Sequence, residues 1–298
     1  MKNNKMNVYR LLIFLILAFA PLWILVLCTN SALGMPLYES TNAEIIYMVG
    51  VFGMMFPAIA HLLTRLFTKE GFDNTYLMPN AEKGFRYYAA AVLTKLILVF
   101  IELILLWLVF MRELSFGELW NFGKDGEAVA ALLLQLAFCI IICFHAFGEE
   151  WGWRGYMMPK LIQLLGKPFA VIAGGILWGL WHAPLTISGH NFGVDYPGFP
   201  YLGILFMCIF CVGENALLTY LTEKSGTIYP AAICHSINNG LGALVVLKLC
   251  GSSRAVELAE QASPIESMRY YLPVSVVITV VFTWLLIRKE KRNPEKVD

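Results

Sequence analysis

Eight stretches of about 20 apolar residues run through this chain, near 9–28, 44–66, 86–111, 128–150, 169–187, 200–222, 228–250 and 271–288. Each is long enough to cross ~30 Å of hydrocarbon as a helix, the form in which a segment in lipid satisfies its own backbone hydrogen bonds. The sequence therefore predicts an all-α fold, a polytopic transmembrane bundle of about eight helices. Composition agrees, with 58% hydrophobic and 14% charged residues and a mean hydropathy of +0.66, whereas a soluble domain carries about a quarter charged residues. There is no repeat, low-complexity segment or soluble insert. Residues 1–298 read as a single membrane domain.

Charge distribution gives the orientation. Lys and Arg number 22 against 21 Asp and Glu, a net charge of +1 that leaves no basic surface for nucleic acid. The basic residues concentrate on alternate loops: sixteen, including Arg65, Lys83, Arg154, Lys160 and Lys167, flank one face, while Arg112, Lys124, Arg254 and Arg269 flank the other. By the positive-inside rule both termini are cytoplasmic, and we expect an integral protein of a bacterial plasma membrane with lipid as its surround. Lys2, Lys5 and Arg10 precede an apolar run with no small-x-small cleavage site, so the first span reads as an uncleaved anchor. Of the seven cysteines, all at or within spans, Cys208 and Cys211 mimic a CxxC pair but read as small apolar side chains, and a Cys28–Cys250 disulfide has no support from spacing.

Against this apolar background the polar residues inside spans stand out. A carboxylate in lipid costs roughly 2.5 kcal/mol or more on insertion scales, so adjacent acids at Glu149 and Glu150 need partners or a use. Three blocks hold most such residues: "GEEWGWRG", "LWGLWHAPL" and "AICHSINNG", each on a different span. Glu150 and Arg154 are four apart and face the same way as an ion pair, while Glu149 points about 100° away. Trp178 and His182 share a face at the same spacing, as do His235 and Asn239. Three helices thus offer a carboxylate, two histidines and an amide to one point. Taken one at a time, each block reads equally well as packing or interfacial tethering; together they complement one another. His145, four before Glu149, is a candidate to orient it. Glu214 and Asn215 either line the same cavity or pair elsewhere.

"EEWGWR" resembles an EExxxR motif, "WGLWH" an (F/W)xxxH motif and "HSINN" an HxxxN motif, in the order found in the CAAX protease and bacteriocin-processing (CPBP, or Abi) family of intramembrane endopeptidases. The resemblance covers about residues 128–250, the expected protease core, and is closest to the CAAX prenyl protease 2 type. It implies that Glu149 is a general base activating water with help from His182, that His235 and Asn239 hold the developing oxyanion, and that Glu150 and Arg154 support them. Hydrolysis of a peptide bond needs that division between an activated water and donors aimed at negative charge.

Glu149, His182 and His235 also make a two-histidine, one-carboxylate set of the kind that holds a catalytic zinc. HExxH is absent, and the family has been described both as metalloproteases and as glutamate proteases. The cofactor is accordingly none or one divalent metal, with the glutamate mechanism favoured. The expected substrate is a membrane-associated peptide or prenylated protein, cut in the latter case after the lipidated cysteine. Two other functions fit the same residues: a catalytically idle bacteriocin-immunity or scaffold protein, and a proton-coupled secondary transporter, against which no repeat relates the two halves.

Overall fold

The apolar runs form helices, and among the described residues there is no strand. The computed structural model describes residues 2–33, 43–110, 126–241, 257 and 264–288. In chain order the helices are α1 (Lys2–Leu33), α2 (Ala43–Gly53), α3 (Phe56–Phe67), α4 (Ala81–Phe110) and α5 (Gly126–Gly152). After a π-helical turn (Trp153–Met157) come α6 (Met158–Leu165), α7 (Lys167–Trp181), α8 (Ala183–Ile187), α9 (Tyr201–Ser225), α10 (Tyr229–Gly240) and α11 (Pro264–Ile287). Among the described residues five apolar spans reach membrane length: Asn4–Leu33, Met48–Phe67, Phe85–Leu106, Leu133–Leu165 and Tyr201–Ser225. Shorter apolar helices at Lys167–Trp181 and Tyr271–Ile287 stand at two more of the expected spans. Of the expected 228–250 span, Tyr229–Gly240 is helical, and residues 242–250, Cys250 among them, lie outside the described residues.

The fourth span differs from the sequence expectation in a way that builds the site. Hydropathy ends it near residue 150, and Pro159 is a natural stop, yet the helical path runs on to Leu165. The π turn is the reason. Met158 N–H bonds to Trp153 O, five residues back, and the widened turn makes room for Pro159, whose ring otherwise strikes the carbonyl four residues earlier. Arg154 and Lys160, counted from sequence as flanking charges, therefore lie within the span.

Gly166, with φ +76°, then turns the chain in a single residue, and its N–H closes α6 on Ile162 O at 2.9 Å. A side chain at that φ is strained, so glycine suits the turn. The hairpin also sets depth. Glu149 stands sixteen residues before Leu165 and His182 fifteen after Lys167, so at ~1.5 Å per residue both lie about 22–24 Å from the turn.

Small residues bring the helices close enough for the site's side chains to meet. A Cβ on Gly152 would lie 2.3 Å from Pro57 Cβ, and one on Gly148 2.8 Å from Met54 O, so α5 rests on the α2–α3 junction through a Gly-x-x-x-Gly face. Gly175 and Gly179 repeat the device, with Cβ positions 2.4 Å from Val212 Cα and 2.5 Å from Cys208 Cα, seating α7 against α9. Cys208 is thus a packing residue, its Sγ directed at Ile176 O. On α3, His61 completes the seam: Nδ1–H donates to Trp151 O at 2.9 Å, while Nε2 accepts from Arg65 Nε at 2.6 Å.

Just beyond α3, Glu70 ties three segments together. Its Oε1 accepts from Lys160 Nζ at 2.6 Å and its Oε2 from Tyr156 Oη at 2.8 Å, with Arg10 Nε of α1 3.5 Å from Oε2. Burial alone raises its pKa, but the Lys160 and Tyr156 hydrogen bonds and the Lys160 and Arg10 charges outweigh it and hold the carboxyl below its ordinary value. A folded pKa below the unfolded one means the network stabilises fully above the unfolded carboxyl range and is lost as pH falls through the folded pKa. We expect Glu70→Gln to melt earlier than the parent in detergent at pH 7, the gap closing only below about pH 4. A gap independent of pH would contradict this assignment.

Candidate active site

The three polar blocks meet inside the bundle. Glu149 on α5 is 2% exposed, Glu150 0%, Arg154 1% and His235 5%, so every charge here must find its partner within the protein. Glu150 and Arg154 form the pair that their spacing predicts, Nη1 to Oε1 at 2.8 Å. The same Oε1 also meets His235 Nδ1 at 2.8 Å. A carboxylate oxygen only accepts, so Nδ1 carries a proton. Arg154 lays its guanidinium over the Trp178 ring, 4.1 Å from the centroid. Arg154 Nε and Nη2 and Glu150 Oε2 are buried with no hydrogen-bond partner among the described residues, an expensive arrangement for a pair with only a structural task.

Glu149 is held differently. Its Oε2 accepts from Trp178 Nε1 at 2.6 Å and from Trp153 Nε1 at 3.1 Å, and nothing else among the described residues bonds Oε1. The expected orienting role of His145 is not seen: that ring sits edge-on to Phe144, 5.6 Å between centroids. His182 marks a break where a continuous span over 169–187 was expected. Pro184 has no N–H to continue the ladder, α7 stops at Trp181, and His182 sits at the junction with α8. Its Nδ1 donates to Trp178 O at 2.9 Å. A carbonyl accepts only, so the neutral ring keeps its lone pair on Nε2.

Asn239 is exposed, and its Oδ1 accepts from Asn238 Nδ2 at 3.2 Å. The two amides form one unit at the edge of α10. Of the two alternatives for Glu214 and Asn215, pairing elsewhere is the one observed: Glu214 accepts from Lys95 Nζ at 2.7 Å, and Asn215 donates to Val171 O at 2.8 Å. Lys95 lies within the Phe85–Leu106 span and is 0% exposed. Glu102, 4% exposed, lies two turns from it on α4.

Among the described residues no group of three His, Cys, Asp or Glu side chains is disposed to hold an ion as placed, and no step below passes through a metal.

This segment has known counterparts. A family model described as "Type II CAAX prenyl endopeptidase Rce1-like" matches residues 129–241, from the first full turn of α5 to the end of α10. The motif-bearing segment is similar to that family. Over 204 residues, 66% of the chain, it is 22% identical to lysostaphin resistance protein A of Staphylococcus haemolyticus. Over 82 residues, 28% of the chain, it is 32% identical to CAAX prenyl protease 2 of Methanococcus maripaludis. The chain spans 52% of the first relative and 27% of the second. The matched segment contains all three polar blocks, and α1 to α4 lie outside it.

Sequence reasoning missed the two indoles on Glu149. Trp153 stands in the same block as the acids and Trp178 in the block of His182, but tryptophan counts as apolar in a span, and its N–H is its only polar atom. The available signal was spacing: Trp153 is four residues after Glu149, on the same face.

Proposed function

We propose that the protein is an intramembrane endopeptidase that cleaves a membrane-associated or lipidated peptide, with Glu149 as the base that activates water. The observation that carries the reading is a buried carboxylate with Oε2 occupied by indoles and Oε1 left over among the described residues, tethered through Trp178 to an imidazole whose Nε2 keeps a lone pair.

In this reading water gives one proton to Glu149 Oε1 while its oxygen bonds to the scissile carbonyl carbon, with His182 Nε2 accepting the other O–H to orient it. The carbonyl oxygen becomes an oxyanion. His235 stabilises it from Nε2–H in its imidazolium form, for which Glu150 is the counter-charge, and Asn239 adds its amide N–H from the rim. Glu149 then passes its proton to the leaving nitrogen as the C–N bond breaks, giving a carboxylic acid and an amine. Cleavage inside a bundle needs a dry, preorganised site, where such donors act more strongly than in water.

The family match and the name of the methanococcal relative, CAAX prenyl protease 2, favour a prenylated C-terminal peptide as substrate. The test is purified protein in lipid vesicles, offered a farnesylated CAAX-type peptide and its unprenylated twin, with products read by mass spectrometry. We expect cleavage of the farnesylated peptide after its modified cysteine. Folded protein that leaves both peptides intact would overturn the prenyl-peptide reading.

A second reading rests on the relative with the longer match, named for lysostaphin resistance: a membrane protein that protects its cell from a bacteriolytic enzyme. The two separate in a sensitive host. Equal protection by parent and Glu149→Gln would make the fold, rather than hydrolysis, the agent.

A further inference from the structure

We propose that Trp178, seconded by Trp153, is the positioning residue of the base, fixing which oxygen of Glu149 faces water and which nitrogen of His182 accepts from it. This rests on the hydrolase reading above and adds residues to its site. Trp178 is 3% exposed and meets four groups of the cluster. Its indole N–H donates to Glu149 Oε2 at 2.6 Å, and its carbonyl accepts from His182 Nδ1 at 2.9 Å. Its ring takes the Arg154 guanidinium on one face at 4.1 Å and meets the His235 ring at 72°, 5.4 Å between centroids.

These contacts have chemical consequences. A carboxylate in an apolar site can present either oxygen by rotating its last torsion, which is broad. Two N–H donors on Oε2 remove that freedom, so the proton from water goes to Oε1. A cation over the ring draws electron density from the indole and strengthens its N–H as a donor. The Glu150–Arg154 pair, costly as a structural element, thereby acts on the base through Trp178. Trp153 is itself fixed, 0% exposed and edge-on to Phe14 at 5.6 Å and to Trp181 at 5.7 Å. Its longer bond to Glu149 makes it the lesser donor.

The experiment must separate the N–H from the bulk of the ring. Site-specific replacement of Trp178 by 3-benzothienylalanine keeps the bicyclic shape and substitutes sulfur for N–H. Two readouts are taken on reconstituted protein: the infrared carboxylate band of Glu149, identified by its loss in Glu149→Gln, and kcat and KM for whichever peptide the parent cleaves. We expect the band to move, kcat to fall about 10- to 100-fold, the range for one hydrogen bond to a charged group, and KM and melting temperature to stay. The same replacement at Trp153 moves each readout less, and the double replacement moves them most. An unmoved band with parental kcat overturns the inference and leaves the hydrolase reading intact. A band that moves in protein whose parent cleaves no peptide sinks the hydrolase reading, and this inference with it.

Discussion

Glu149→Gln folds like the parent and loses at least ~10²-fold in peptide cleavage, the scale of a missing general base. The substitution is mild in shape. The amide oxygen still accepts from Trp153 and Trp178, now at 3.1 and 2.6 Å, so packing and both indole bonds survive while basicity at Oε1 does not. Melting temperature in detergent should match the parent. Parental turnover from well-folded Gln variant removes Glu149 from the chemistry.

The second large effect is on folding. Glu150 is 0% exposed and shares one oxygen between Arg154 and His235. Glu150→Gln leaves a buried guanidinium without a counter-charge, and breaking a buried pair in this way costs about 3–5 kcal/mol. Folded yield should drop sharply. Replacing both partners, Glu150→Gln with Arg154→Met, removes the stranded charge and should restore much of the yield, because apolar replacement of a buried pair is often neutral or better. Cleavage should remain impaired, since His235 has lost its counter-charge and Trp178 its cation. A double variant that folds and cleaves at the parental rate reduces the pair to packing.

The three polar blocks were legible because a helix in lipid rarely carries polar groups without cause, and the spacing of four gave the Glu150–Arg154 pair correctly. The partners across helices were not legible. His235 meets Glu150, 85 positions away, and Glu214 meets Lys95, 119 away, and no periodicity on one helix encodes its neighbour. Hydropathy found the spans but not their ends: it could not register the π turn that carries the fourth span past Pro159 or the break at Pro184. The Gly-x-x-x-Gly faces were written in the sequence at 148–152 and 175–179, and only the close approach of α3 and α9 gives them meaning. Indoles as hydrogen-bond donors to the base are hidden by the habit of counting tryptophan with the oils.

The central claim is that this protein cuts peptide bonds in its membrane through Glu149, and it is tested without knowing the substrate. Membranes from cells producing the parent at matched level are compared with membranes producing Glu149→Gln, and peptide C-termini are catalogued by mass spectrometry. The account predicts a set of new C-termini, enriched next to membrane anchors or lipidated cysteines, present with the parent and absent with the variant. Identical catalogues from two equally abundant, folded proteins would contradict it.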